Sequence, residues 1–146
     1  MKKALLFVLA AGLLAGCGGA KSYADGVYTG QSELYESLAD DAGDAGGDGY
    51  GVATVTIAGG KITGCEFTTY MPDGTVKGED YGKRNGEIAN QDYYNKAQRA
   101  VRASQNYAEQ LAAKGELQAV DAISGATISY REFQDAVDAA LRQAQQ

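Results

Sequence analysis

Residues 52 to 70 read VATVTIAGGKITGCEFTTY, and this stretch decides the fold. Two runs rich in β-branched and aromatic residues, 52–57 and 61–70, flank the tripeptide Ala58-Gly59-Gly60. Such runs favour extended backbone, and a Gly pair between them is typical of a tight hairpin. Gly64 inside the second run indicates a bulge, or a place where a ligand approaches the backbone. The stretch therefore predicts two antiparallel strands.

The segment before the hairpin holds a short strand and a loop rich in Gly and Asp. Residues 25–30, DGVYTG, have turn residues at both ends and predict a first strand. Residues 36–51 partly match a calcium-binding loop. In the run that starts at Asp44, however, Gly46 stands at the third position and Val55 stands where a calcium loop places its bidentate Glu. We therefore expect a mobile, solvated loop.

Two amphipathic helices are predicted after the hairpin. Helical spacing of apolar residues indicates a first helix, which Gly115 ends; the apolar positions are Tyr94, Ala97, Val101, Ala108 and Leu111. Ser129 and Glu132 have the spacing of a capping box, so a second helix is expected just after Thr127. Its apolar positions are Phe133, Val137 and Leu141. This order predicts an α+β domain in which two helices pack on one face of a mostly antiparallel sheet.

Between the two predicted helices lies the run Asp121-Ala122-Ile123-Ser124-Gly125-Ala126-Thr127. It ends in an alcohol, Thr127, which is able to accept a phosphoester. Gly125 and Ala126 carry little side-chain bulk, so a modifying enzyme that approaches the acceptor meets little steric resistance. The first turn of the following helix presents unpaired N–H groups, which suit a phosphate bound immediately upstream. The alternative is an ordinary turn between two elements, because these are common turn residues.

This run resembles the attachment site of bacterial FMN-binding domains, in which a flavin transferase joins FMN to a Thr or Ser by a phosphoester. The family includes flavin subunits of the sodium-pumping NADH:quinone oxidoreductase and of the Rnf complex, and small flavin-bearing lipoproteins. The resemblance implies that FMN is the cofactor, that Thr127 carries it and that Ser124, Gly125 and Ala126 are part of the cofactor site. The role implied for Asp121 stays open: it orients the acceptor, helps place the transferase's metal ion or caps a turn.

A charged loop follows the hairpin. Residues 77–83, KGEDYGK, resemble a stretch of the small lipoprotein members of the family. The resemblance places this loop near the flavin, with Tyr81 as a contact of the ring and Lys77 or Lys83 as charge partners. The alternative is an exposed charged loop without contact to a cofactor.

The start of the chain predicts where the protein works. Lys2 and Lys3 precede an apolar stretch, residues 4–15, and Leu14-Ala15-Gly16-Cys17 has the form of a lipobox. The apolar stretch is shorter than the about 20 residues that a membrane-spanning helix needs. We therefore expect a lipoprotein signal peptide over residues 1–16. The resemblance to bacterial lipoproteins puts a diacylglycerol on Cys17, followed by a tether to residue 24 and an FMN-binding domain over residues 25–146.

Composition restricts the possible functions. The 146 residues include 19 acidic and 13 basic side chains, a formal net charge of −6, which argues against binding nucleic acid. There is no His, which excludes His-dependent catalytic triads and metal sites with His ligands, and we expect no metal site. With Cys17 lipidated, Cys65 has no internal disulfide partner, and a buried small hydrophobic residue is the favoured interpretation over a redox thiol.

These features together predict an electron-transfer protein rather than a stand-alone enzyme. A covalent FMN on the extracytoplasmic side of the cell membrane is placed to pass electrons from a membrane dehydrogenase or quinol to an extracytoplasmic acceptor. Acidic side chains close to the ring are expected to lower its reduction potential. One alternative is a non-redox surface or binding lipoprotein in which the Ser-Gly-Ala-Thr turn is structural. The other is an enzyme that reduces a small substrate at its own flavin.

Overall fold

The computed structural model describes residues 22–38, 44 and 46–146. Their regular elements form a sheet followed by helices. The strands are β1 (Gly26–Gln31), β2 (Tyr50–Ala58) and β3 (Lys61–Tyr70). They are antiparallel and lie in the order β1-β2-β3. The helices are α1 (Gln91–Lys114) and α2 (Thr127–Ala144), with one turn of 3-10 helix, Leu117–Ala119, between them.

The predicted hairpin is β2 and β3. Gly59 and Gly60 have φ values of 61° and 74°, and positive φ at both turn positions is what a two-residue hairpin of the favoured twist needs. Thr56 pairs with Gly64, whereas Ile57 pairs with Ile62. One extra residue is thus inserted on β3 beside Gly64, which confirms the bulge expected there.

One face of the sheet is buried under both helices. In β2, Ala53, Val55 and Ile57 are buried at every second position, as a strand with one covered face requires. Helix α1 packs mainly on β3, and α2 packs on β1 and β2. An added Cβ at Gly30 would collide with the carbonyl oxygen of Ala136 in α2, so β1 and α2 approach very closely. The α+β class with two helices on one face is confirmed.

Helix α1 has the end that the sequence predicts. The Asn90 side chain accepts a hydrogen bond from the Tyr93 N–H at the helix start, and Gly115 ends the helix with φ 73°. The residues that α1 buries are Ala97, Ala100, Ala103, Ser104, Tyr107, Ala108 and Leu111. Tyr107 and Phe133 stack at a centroid distance of 5.6 Å, which joins the two helices in the core.

The capping box predicted for α2 is absent. Helix α2 begins at Thr127, so Ser129 already lies inside the first turn. Ser129 and Glu132 are both buried, and no side chain of the residue before the helix caps it. Glu132 Cβ lies next to Gly51 of β2, and the Glu132 carboxylate makes no hydrogen bond to the helix start within the described residues.

The Gly/Asp-rich loop is partly outside the described residues, which omit 39–43 and 45. Its described residues are anchored. Tyr35 and Gly49 form an antiparallel bridge, and the Ser37 N–H donates to Asp48 Oδ1 at 2.7 Å. Gly46 is buried. The expectation of a solvated loop is therefore wrong for Gly46, because this part of the loop packs against α2.

The folded region begins before residue 25. Tyr23 pairs with Gln145, and the Ala24 N–H donates to the Ala144 carbonyl oxygen at 2.8 Å. These contacts tie the end of the expected tether to the end of α2. The expected signal peptide and Cys17 lie outside the described residues. Within the described part of the chain, no helix combines the length and the apolar character needed to cross a membrane.

Candidate functional site

The Ser-Gly-Ala-Thr run forms a tight turn immediately before α2. The Ala126 N–H donates to the Ile123 carbonyl oxygen at 3.0 Å, and Gly125 has φ 80°. An added Cβ at Gly125 would meet no atom within 4 Å. Glycine is therefore required there for its left-handed backbone and not for space. Ser124 and Gly125 are exposed, whereas Ala126 is buried.

A tyrosine of α1 holds both ends of this turn. The Tyr107 hydroxyl accepts a hydrogen bond from the Ile123 N–H at 2.9 Å and donates one to the Ala126 carbonyl oxygen at 3.1 Å. Tyr107 is 0% exposed; its bond to the Ala126 carbonyl oxygen is buried, and its bond from the Ile123 N–H is partly buried. The turn thus has a fixed position relative to α1, and Thr127 follows from it directly.

Thr127 is the first residue of α2, and its side chain is exposed. Its backbone N–H donates to Asp44 Oδ2 at 2.6 Å, and the Ile128 N–H donates to the same oxygen at 3.2 Å. Asp44 Oδ1 accepts from the Gly46 N–H at 2.8 Å, which fixes the carboxylate. Asp44 therefore caps α2 from a distant part of the chain, where a negative charge is favourable. The expectation that these two N–H groups are unpaired is wrong.

Asp121 lies at the end of α1 rather than beside Thr127. Its backbone N–H donates to Gln110 Oε1 at 2.9 Å, and its carboxylate forms a 3.1 Å ion pair with Lys114. The Asp121 side chain is 87% exposed. Among the described residues, its carboxylate makes no hydrogen bond to the turn or to Thr127. The structure therefore shows no direct contact by which Asp121 would orient Thr127. The Asp121 carboxylate is accessible to a docking protein.

A cavity of about 350 Å³ opens beside the turn. Helix α1 supplies its long polar side chains, Arg99, Arg102 and Asn106, and Ser124 of the turn adds a hydroxyl. Ala103 and the residues of the turn, from Ile123 to Ala126, supply the remaining wall. Neither arginine has a hydrogen bond or ion pair to another residue in the described part of the chain. The cavity thus combines an apolar wall with two free positive charges, next to the exposed Thr127.

The sequence places Tyr81 near the site, and the structure connects it to the start of α2 through Gly46. The Tyr81 hydroxyl and Lys77 Nζ both donate to the Gly46 carbonyl oxygen, at 2.8 and 2.7 Å. Lys77 Nζ also lies 5.2 Å from the centre of the Tyr81 ring. An added Cβ at Gly46 would lie 2.7 Å from Ile128 Cβ, so this segment touches α2. Lys83 instead pairs with Asp80 at 2.8 Å.

Behind this contact lies a buried acid. Glu132 is 2% exposed, and neither of its carboxylate oxygens has a hydrogen-bond partner within the described residues. Burial raises the pKa of Glu132 to about 7, although the nearby Lys77 opposes the shift. Burial also lowers the pKa of Lys77, against the attraction of Glu132, Asp48 and Asp44. The sequence predicts Glu132 as part of a helix cap, and its spacing does not indicate that Glu132 and Lys77 are both buried.

A comparison of the chain with sequence models of protein families identifies the domain that contains the turn. The sequence model of the FMN-binding domain family matches residues 46–142, which include β2, β3, α1, the whole turn and α2 up to residue 142. The chain belongs to the FMN-binding domain family. It is a flavin-binding protein, and its cofactor is FMN.

The FMN-binding domain also has a neighbour among solved structures, the CPE2226 protein from Clostridium perfringens. The two are 20% identical, with a TM-score of 0.53 over 84% of this chain and 88% of that chain. At this identity the likeness shows a shared fold. A comparison with curated proteins finds no significant match.

The residues of this FMN-binding domain fit the cofactor. FMN has a phosphate, a flexible polyol chain and a flat ring with an apolar end and a polar end. Thr127 offers an exposed hydroxyl, and the adjacent cavity offers an apolar wall with guanidinium and amide groups. A planar guanidinium stacks on aromatic rings and donates several hydrogen bonds, which suits a flavin ring.

Cys65 of the FMN-binding domain lies on β3. Burial and the neighbouring Glu66 raise the pKa of the half-buried Cys65 to about 12, so its thiol stays protonated. This agrees with the interpretation of Cys65 as a small hydrophobic residue.

Tyr107 is a functional residue that the sequence does not reveal. Its position one turn before Leu111 indicates burial. Nothing in the spacing indicates that its hydroxyl holds the turn.

Proposed function

We propose that Thr127 carries FMN as a covalent phosphoester. The observation that carries the proposal is the exposure of the Thr127 side chain at the start of α2, after a turn that Tyr107 fixes. An enzyme that modifies Thr127 needs access to the hydroxyl and a defined backbone around it. Ser124 and Gly125 are exposed at the same place, and the left-handed Gly125 leaves the turn without side-chain bulk.

The attachment is a group transfer. Thr127 Oγ1 forms a bond to the phosphorus of FMN and loses its proton. The donor is a flavin dinucleotide held by a flavin transferase; its pyrophosphate bond breaks, and the nucleotide half leaves with the bridging oxygen. Asp121 is exposed next to the turn and is the side chain we assign to recognition by that transferase.

We further propose that the loaded protein is an electron carrier at the extracytoplasmic side of the cell membrane. When bound, FMN supplies the redox chemistry. The chain anchors it through Thr127 and positions the turn through Tyr107. The lipobox at Cys17 supports a lipid anchor, and two acyl chains at about 0.8 kcal/mol per buried CH2 suffice for stable membrane attachment. A membrane dehydrogenase or quinol would then be the donor, with an extracytoplasmic protein as acceptor.

The attachment is tested by intact mass. The full chain is co-expressed with a flavin transferase, and its mass is compared with that of Thr127→Val, which has nearly the same volume. We expect a gain of one FMN less one water in the parent and no gain in Thr127→Val. Thr63→Val, an exposed threonine of the hairpin, is the matched control and is expected to load normally. A parent without added mass, or a loaded Thr127→Val, contradicts the proposal.

The carrier role needs a separate measurement. Membranes that contain the loaded chain are mixed with NADH or a quinol, and bleaching of the flavin absorbance is followed. We expect reduction in membranes and much slower reduction for Cys17→Ala, which is released from the bilayer. Equal rates for the two proteins contradict the role of the anchor, and no reduction by either donor contradicts the role as carrier.

A further inference from the structure

The cavity beside the turn has a composition that the attachment of FMN at Thr127 does not by itself explain. Arg99 and Arg102 lie three residues apart on α1 and therefore share one face of the helix. Both line the cavity, together with Asn106 one turn further on. Among the described residues, no carboxylate side chain lines it. In a chain with a formal net charge of −6, this is a local concentration of positive charge.

The rest of the lining is mainly apolar and is supplied by the attachment turn, which also contributes the Ser124 hydroxyl, and by Ala103 of α1. Ala103, Ile123 and Ala126 are the apolar side chains of the lining, and Ile123 to Ala126 are held in place by Tyr107. The volume of about 350 Å³ lies in the range of small-molecule sites, which are concave, mostly apolar and carry a few polar groups. The wall ends one residue before Thr127, so an adduct on Thr127 starts at the mouth of the cavity.

We propose that this cavity holds the flavin ring and that Arg99 and Arg102 raise its reduction potential. The inference rests on the proposed attachment at Thr127. A guanidinium stacks on a flat aromatic system and donates hydrogen bonds to carbonyl oxygens, and the Asn106 amide both donates and accepts. Reduction adds negative charge to the polar end of the flavin, so two nearby positive charges favour the reduced form.

This increase in the reduction potential is opposite in sign to the decrease expected from the acidic surface. Opposite charges in contact interact far more strongly than charges separated by more than the Debye length of about 10 Å at 0.1 M salt. The arginines at the cavity therefore outweigh those acidic side chains that lie farther from the flavin than this length. FMN on this chain is expected to have a higher potential than the same domain without the two charges.

The test is a redox titration of loaded protein. In Arg99→Gln/Arg102→Gln the reduced form is expected to be destabilised about tenfold, which for a two-electron couple lowers the midpoint by about 30 mV. Arg142→Gln is the control for a remote charge, because it removes one positive charge from an exposed residue about 22 Å along α2 from Thr127, and the single changes Arg99→Gln and Arg102→Gln each remove one charge at the cavity. Arg99→Lys/Arg102→Lys keeps the charge and is expected to recover most of the midpoint.

A second measurement does not depend on loading. Riboflavin, which lacks the phosphate, is titrated into the full chain carrying Thr127→Val, and quenching of its fluorescence reports binding. We expect the double Gln change to weaken binding about tenfold and Arg142→Gln to leave it unchanged. Equal riboflavin affinity in the double variant and the control overturns the inference, and so does an equal midpoint in loaded protein. A parent chain that gains no FMN mass instead overturns the proposed attachment, which the intact mass shows separately.

Discussion

Glu132 is a buried carboxyl group without a hydrogen-bond partner among the described residues, so its charged form is disfavoured. The pKa of this carboxyl is raised to about 7 by burial, from an ordinary value near 4.5. Between these pH values the folded state binds more protons than the unfolded state, so stability falls as pH rises through this window and levels off above it. At pH 8 the penalty amounts to about 3 kcal/mol, since one pKa unit corresponds to about 1.4 kcal/mol.

Glu132→Gln removes the titration. We expect the variant to unfold at nearly the same urea concentration at pH 5 and pH 8, whereas the parent is clearly less stable at pH 8. The exposed Glu36→Gln is the control and keeps the pH dependence of the parent. Parallel pH profiles for the parent and Glu132→Gln would show that this carboxyl is ionised without a penalty.

Tyr107 acts on the site through a single oxygen. Tyr107→Phe leaves the Ile123 N–H without its partner and removes one of two hydrogen bonds to the Ala126 carbonyl oxygen, which still accepts from the Tyr130 N–H. Loss of a buried partner costs about 1–3 kcal/mol. We expect the variant to be less stable by this amount and to load FMN more slowly, because the turn before Thr127 is no longer held. The exposed Tyr93→Phe serves as control; a loading rate for Tyr107→Phe equal to that of the control contradicts the positioning role.

At the scale of elements, the start of α2 depends on a loop that precedes it by more than 80 residues. Asp44→Ala removes the acceptor of the Thr127 and Ile128 N–H groups. In unloaded protein we expect a loss of about 1 kcal/mol, as for other helix caps. In loaded protein the loss should be smaller, because a phosphate on Thr127 offers oxygens to the same helix start. Thermal unfolding of both forms, with Asp138→Ala as control, checks this; an equal loss in both forms excludes phosphate at the helix start.

The elements that the sequence predicts correctly are those fixed by local chemistry. The bounds of β3, the bulge beside Gly64 and the end of α1 at Gly115 follow from side-chain period and from the backbone freedom of glycine. The start of α2 is predicted just after Thr127 from a capping box of Ser129 and Glu132; the helix does begin at Thr127, but the box is absent. The cap by Asp44 and the bonds of Tyr107 are not predicted, because they join residues 83 and 16 to 19 positions apart, and such pairs leave no mark in local spacing.

Across the whole molecule, the reduction potential of the flavin depends on which charged side chains lie close enough to interact with it. The formal net charge of −6 predicts a lowered potential if the acidic groups act together. In the structure, the acidic side chains lie at different distances from Thr127. Asp44 hydrogen-bonds to the backbone of Thr127 itself, whereas Asp138 lies eleven residues along α2, about 16 Å away. At 0.1 M salt the second distance exceeds the Debye length of about 10 Å.

Redox titration of loaded Asp44→Asn and Asp138→Asn separates a local from a global electrostatic effect. Each change removes one negative charge, so the two proteins have the same net charge. We expect Asp44→Asn to raise the midpoint, since a negative charge near the flavin disfavours the reduced form, and Asp138→Asn to leave it unchanged. Lowering the salt to about 0.01 M extends the Debye length to about 30 Å, so Asp138→Asn should then begin to shift the midpoint. Equal shifts for the two variants at 0.1 M salt would mean that the field of the whole surface, and not the attachment site, sets the potential.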